Sequence, residues 1–194
     1  MVQQYLSNIK PGRVVKSFKS KKGNSVVFRY PLEKDFDATW EYACDLAAED
    51  TFVELSGPPP TRKAEKKWFK EMMDAMYKGS MRYIAVFVND KFAGSGAVRV
   101  GKYRHSHTGD IGIGLANMFR DEGIGTELLK TLVDEGKQLE LRLLTLSCFE
   151  NNQRALHVYE KLGFKKAGII PGAIAFKGDF VGEVKFYLPL DKNV

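Results

Sequence analysis

Residues 111–126, Ile-Gly-Ile-Gly-Leu-Ala-Asn-Met-Phe-Arg-Asp-Glu-Gly-Ile-Gly-Thr, join an apolar segment with alternate glycines to a tight turn and the start of an amphipathic helix. Glycines let a backbone approach a ligand closely. The helix that follows aims its unpaired N–H groups and the positive end of its dipole back at the turn. The chemistry this favours is the holding of a phosphate or pyrophosphate. A P-loop needs Lys-Ser/Thr directly after its last glycine, whereas Gly125 is followed by Thr126-Glu127. A dinucleotide fingerprint needs a third glycine at a spacing that Gly112-Ile-Gly114 does not supply. What remains is Arg120-x-x-Gly123-x-Gly125 at a strand-to-helix junction.

A second constellation follows one helix and one strand later: Asn152-Gln-Arg-Ala155-Leu-His-Val-Tyr159-Glu-Lys-Leu162-Gly163-Phe164. The first stretch resembles motif A, and the second motif B, N-x-x-A-x-x-x-Y-E-K-L-G-F, of the GNAT superfamily of N-acetyltransferases. Lower-information features agree across roughly residues 26–190. The resemblance implies an α/β (α+β) GNAT fold, with a mixed, largely antiparallel central sheet flanked by helices. It also implies acetyl-CoA as co-substrate, with no metal, and transfer of its acetyl group to a primary amine.

Carried over residue by residue, the resemblance assigns roles. The backbone of Ile113, Gly114 and Leu115 would pair with the pantetheine arm, and Asn152 would hydrogen-bond that arm or a water. The pyrophosphate would rest on amides across Asp121, Glu122, Gly123, Ile124, Gly125 and Thr126, with Arg120 beside it. Asp121 and Glu122 depart from the family's common Gly and Lys or Arg, and two carboxylates near a dianion repel it unless they face solvent. Arg120 would meet a phosphate or pair with Asp121. Tyr159 would be the general acid that protonates the coenzyme thiolate, and Asp110, ten residues before Arg120, the general base acting through water. The same positions admit structural roles: a core tyrosine at 159, a helix N-cap at 152, a solvated strand-end carboxylate at 110.

The acceptor is the less legible half. Residues 168–184 and the position of Asp110 resemble phosphinothricin-type and related small-molecule enzymes, although Phe180 and Gly182 replace a Tyr and an Asp. Ribosomal-protein N-terminal acetyltransferases tend to carry a Glu where Ser147 stands, which argues for a small-molecule amine as partner. Acetylation of a protein N-terminus or lysine is the alternative, and a non-catalytic acyl-CoA-binding regulator the third. Glu49, Asp50 and Glu54 lie in a loop suited to a cationic acceptor. His105 and His107 are too few for a metal site, and His157 reads as helix surface.

The elements that must position these residues follow from composition and pattern. At 194 residues and 44% apolar content the chain suits one globular domain. Its +6 charge resides in Lys10, Arg13, Lys16, Lys19, Lys21 and Lys22, so the remainder sums to zero. Residues 1–25 therefore read as a basic N-terminal extension, and 26–194 as the acetyltransferase domain. The extension reads as an extra basic hairpin turning at Lys21–Asn24, favoured over a nucleic-acid-binding arm. No apolar run approaches 18 residues, the N-terminus lacks a signal-peptide core, and no membrane partner is expected. Cys44 and Cys148 read as buried free thiols, and the compartment as cytoplasmic. Helices are expected over Asp35–Glu49, from a Thr61 cap to Gly79, from Ile124, and over Gln153–Leu162; strands over Arg82–Val88, Phe92–Val100, Asp110–Leu115, Leu141–Phe149 and Glu183–Leu190. A homodimer through that last strand is left open.

Overall fold

The computed structural model describes residues 9–53 and 55–191, so Glu54 and the first eight residues lie outside the described ones. A hairpin of β1 (Val14–Lys19) and β2 (Ser25–Arg29) opens the chain. Helices α1 (Phe36–Glu49) and α2 (Arg62–Tyr77) follow, then β3 (Met81–Val88) and β4 (Lys91–Val100). The chain continues through β5 (Thr108–Leu115), α3 (Ile124–Gln138), β6 (Leu143–Phe149), α4 (Gln153–Lys161), β7 (Lys165–Phe176) and β8 (Asp179–Pro189). Among the described residues, eight strands form one sheet in the order β1-β2-β3-β4-β5-β6-β8-β7.

Local chemistry accounts for the boundaries. Thr61 caps α2 by accepting from the Ala64 amide at 3.2 Å. Asn89 and Asp90, at φ 48° and 64°, make the tight turn between β3 and β4. A near-continuous apolar run then buries β3 on both faces, with Ile84, Ala85, Val86 and Val88 fully enclosed. Helices α1 and α2 cover one face of the sheet: Trp68 of α2 packs edge-on against Tyr83 of β3, and Tyr42 of α1 against Phe92 of β4. The opposite face receives α3, through Ile124, Leu128, Leu129 and Leu132, none of them exposed.

Two expectations meet differences. Strand β7 lies where the pattern reads as a loop, and β8 begins earlier than Glu183. Nearly every residue of β7 is exposed on both faces, so no alternation marks it. It sits at the sheet's edge, and its pairing with β8 is irregular between Ile170 and Ile174, where Pro171 and Gly172 fall. The expected boundary after residue 25 falls on the first residue of β2, which pairs with both β1 and β3. The basic hairpin is thus continuous with the sheet.

One pairing positions everything that follows. Strands β5 and β6 are parallel, joined by α3 as the crossover, and every other neighbouring pair is antiparallel. Their register holds only over Thr108–Asp110 against Leu143–Thr145. Beyond it β5 remains paired to β4 as far as Leu115, and β6 to β8 as far as Phe149. The sheet splits between them, exposing the facing edges of two strands.

Candidate active site

The split is a slot through the sheet with a cavity at each end. On one side a cavity of about 550 Å³ is bordered by Gly114, Leu115, the Arg120–Thr126 loop and the start of α4. On the other a cavity of about 620 Å³ is bordered by Asp110, Ser147, Phe149, Phe176 and Glu183. Thr51, Phe52, Val53, Ile113, Asn152 and Tyr159 border both. These six residues mark where the cavities meet.

The loop entering α3 is built to present backbone. Asp121 and Gly123 take left-handed dihedrals, φ 63° and 83°, and Gly123 is the N-cap of α3. The first amides of that helix have no earlier turn to donate to and point toward the cavity end. Its charged side chains are engaged elsewhere. Arg120 donates from Nε to the Leu115 carbonyl at 2.9 Å and forks onto Glu49, with Nη2 to Oε2 at 2.8 Å. Neither a phosphate nor Asp121 is therefore needed to explain its side chain; Asp121 pairs instead with Arg154 at 3.1 Å.

Glu122 answers the concern about two carboxylates in a different way. Its side chain is 2% exposed and points away from the cavity into the β1–β2 turn. Ser20 Oγ donates to it at 2.6 Å and Asn24 Nδ2 at 2.8 Å, with Lys22 Nζ at 3.5 Å. Those two hydrogen bonds, and then the Lys22 charge, hold its carboxyl below the usual glutamate range.

Gly114 sits where the slot opens, and its backbone faces a close neighbour. A Cβ built there would lie 2.7 Å from the Tyr42 hydroxyl. That hydroxyl is buried without a hydrogen-bond partner among the described residues.

Sheet alternation sorts the second cavity. Asp110, Thr145, Ser147 and Glu183 lie on the face covered by α1, following the Asp110–Thr145 and Phe149–Glu183 pairings. Thr145 Oγ1 donates to Asp110 at 3.1 Å. Lys185 donates to Glu183 at 2.5 Å and to Ser147 at 2.8 Å; its contact lowers the Glu183 carboxyl below the ordinary range. Phe52, Phe149 and Phe176 form a triad, the Phe52 and Phe176 rings stacked at 5.0 Å. Asp50 also borders this cavity, while Glu49 is held by Arg120.

Tyr159 reaches the slot from the opposite face, where its ring packs on Phe164 and Phe186. It is 8% exposed, and burial, with the nearby Cys148 thiol a smaller influence, raises its hydroxyl above the ordinary tyrosine value. Asn152 caps α4 by accepting from the Ala155 amide at 3.2 Å and borders both cavities at the same time. Cys44 and Cys148 are free thiols; Cys148 is buried and Cys44 only partly so. Burial pushes the Cys148 thiol up to about 12.

All the expected site residues except Glu122 and Ile124, whose side chains turn inward, border one or both cavities. Sequence reasoning missed Glu183, Arg99, the phenylalanine triad and Lys21. Alternation within β8 was a signal for Glu183, because Phe186 and Val184 are buried on the other face. Nothing local marks Lys21, which comes to the cavity through the hairpin's docking.

The sequence matches the acetyltransferase (GNAT) family over residues 40–164. No curated protein matches it. Among solved structures, an acetyltransferase of the GNAT family from Streptococcus pneumoniae superposes with a TM-score of 0.75 at 22% identity, covering 85% of this chain and 99% of that one. The ribosomal L7/L12 alpha-N-protein acetyltransferase RimL, in complex with coenzyme A, gives 0.78 at 15% identity, covering 92% and 99%. The microcin C7 self-immunity acetyltransferase MccE, in complex with acetyl-CoA and AMP, gives 0.72 at 15% identity, covering 85% and 92%.

Proposed function

The chain belongs to the acetyltransferase (GNAT) family, whose co-substrate is acetyl-CoA, and from that premise we propose that it acetylates the primary amine of a small metabolite. The observation that carries this reading is the meeting of the two cavities at Tyr159 and Asn152, inside the split between β5 and β6. Acetyl-CoA supplies an acetyl group activated as a thioester. The free edge of Ile113–Leu115 offers backbone partners to the extended arm of that co-substrate, and the amides from Asp121 to Thr126 offer donors to its pyrophosphate. Arg120 acts as a brace that fixes this loop between Leu115 and Glu49.

Asp110 takes a proton from the acceptor's ammonium through water, leaving a nitrogen lone pair directed at the slot. The C–N bond forms as the C–S bond breaks, and Tyr159 gives its proton to the departing sulfur. The second proton that the nitrogen sheds on becoming an amide restores the Tyr159 hydroxyl through water. Burial suits Tyr159 to this task, since it keeps the hydroxyl protonated until a strong base arises beside it. Transfer is direct, because the Cys148 thiol that borders the acceptor cavity is held protonated and is a poor nucleophile.

The concentration of charged and aromatic side chains in one cavity beside the slot supports a small amine as acceptor. The stacked Phe52 and Phe176 form one wall, and its charged lining is Asp50, Asp110, Arg99 and Glu183.

The test is coenzyme A release from acetyl-CoA across amines, amino acids, polyamines and N-terminal peptides, comparing wild type with Tyr159→Phe. Turnover on small amines that falls at least tenfold in the variant, with acetyl-CoA affinity kept, is the expected result. Turnover confined to peptides, or acetyl-CoA binding without any turnover, would overturn it.

A further inference from the structure

The β1–β2 turn lies outside both motifs, yet it docks on the loop that precedes α3. Besides the bonds that Ser20 and Asn24 make to Glu122, the Lys21 amide donates to the Glu122 carbonyl at 3.0 Å. Lys16 of β1 pairs with Glu127 in the first turn of α3 at 2.5 Å. The hairpin is therefore fixed to the loop and to the first turn of α3 at these four points, and the Lys22–Glu122 pair adds a fifth. This fixation brings Lys21 to the cavity: its stem runs across Gly123, where an added Cβ would lie 3.4 Å from Lys21 Cε.

The charges around that cavity are unequal. Among the described residues three cations border it, Lys21, Arg120 and Arg154. Arg120 is engaged by Glu49, and Arg154 by Asp121. Lys16 and Lys22, its neighbours in the hairpin, have Glu127 and Glu122. Lys21 alone has an exposed ammonium with no carboxylate among the described residues. An unpaired cation beside a helix N-terminus attracts a multiply charged anion, and the carboxylates of the loop raise the need for one.

We propose that Lys21, delivered by the N-terminal hairpin turn, is an ionic partner of the co-substrate's pyrophosphate, and that Glu122 serves as the buried anchor that places it there. The inference rests on the reading of this cavity as the seat of acetyl-CoA. The basic hairpin is then part of the coenzyme site, and its positive charge need not serve nucleic acid.

Calorimetry on the full chain tests this with acetyl-CoA, its 3′-dephospho analogue and S-acetylpantetheine, using wild type, Lys21→Ala and, as a control of equal charge, the exposed Lys19→Ala. The expected result is a Kd for acetyl-CoA raised about tenfold in Lys21→Ala, the size of one charge-assisted contact, and unchanged in Lys19→Ala. The loss should persist with the dephospho analogue, vanish with S-acetylpantetheine, and shrink with added salt. Equal loss in Lys19→Ala overturns the proposal by reducing it to a general field. Loss that disappears with the dephospho analogue overturns it by moving Lys21 to the 3′-phosphate. An unchanged Kd in Lys21→Ala sinks the inference alone, whereas a wild type that binds no acetyl-CoA sinks the reading beneath it.

Discussion

The two ends of the slot are built on different plans. At the loop end nearly every charged side chain has a fixed partner: Arg120 with Glu49, Glu122 with Ser20 and Asn24, Glu127 with Lys16 and Lys130. What faces the cavity there is mostly backbone, held in shape by those pairs. At the strand end, side chains face the cavity: Asp110, Arg99, Glu183 and three phenylalanines. A ligand common to every reaction cycle is best met by a rigid backbone, because no side-chain ordering is needed on binding. Selection among acceptors is best met by side chains, whose types change without altering the strands. Substitutions at one end should therefore change coenzyme affinity for all acceptors, and at the other end change which amine is used and how fast.

The largest break in that comparison is expected at Asp110. Asparagine there keeps the volume and the contact with Thr145 but cannot accept a proton at neutral pH. Turnover should fall about a hundredfold while the Kd for acetyl-CoA, measured calorimetrically, stays within twofold. A comparable loss of coenzyme affinity would show that the two ends are not separable, and unchanged turnover would return Asp110 to the role of a solvated strand-end carboxylate.

Phe176→Ala tests the wall. The ring sits 5.0 Å from Phe52 and 5.3 Å from Phe149, so truncation opens the triad from the edge strand. The KM for the best acceptor should rise about tenfold, the scale of one aromatic contact truncated in a binding site, with kcat less affected. Steady-state kinetics at saturating acetyl-CoA read this directly. A shift of KM for acetyl-CoA instead would place the triad on the wrong side of the slot.

The same division explains what the sequence made legible. Motif residues at the loop end are fixed by backbone geometry, as at Gly123, whose positive φ of 83° suits glycine, so they can be read locally. The core stripes of α2 and α3 are equally local, set by helical spacing. Strand β7 was illegible because an edge strand exposed on both faces has no alternation to read, and its Pro171-Gly172 imitates a loop. Arg120 could not be paired from sequence, since Glu49 lies in α1 and meets it only through tertiary packing. Lys21 was visible as one of six N-terminal cations, but only the Ser20–Glu122 and Asn24–Glu122 bonds single it out.

The smallest expected effect is a change with pH, and it tests whether the loop end owes its order to paired charges. Hydrogen bonds from Ser20 and Asn24 hold the Glu122 carboxyl below its ordinary value of 4.5 in the folded protein. On acidification the unfolded chain therefore takes up this proton first, and the folded state loses relative stability. The contribution is present in full above pH 4.5 and is lost as pH falls through the folded value. Glu127 and Glu183, lowered chiefly by Lys130 and Lys185, act in the same direction. Glu122→Gln removes one of these titrations while retaining an acceptor for Ser20, so its Tm should lie a few degrees below wild type at neutral pH. As the pH falls below 4.5 and through the folded value that gap should close, because the wild-type carboxylate is then being neutralised as well. A gap of constant size across this range would mean that Glu122 anchors the hairpin turn by shape and hydrogen bonding, with its charge adding nothing.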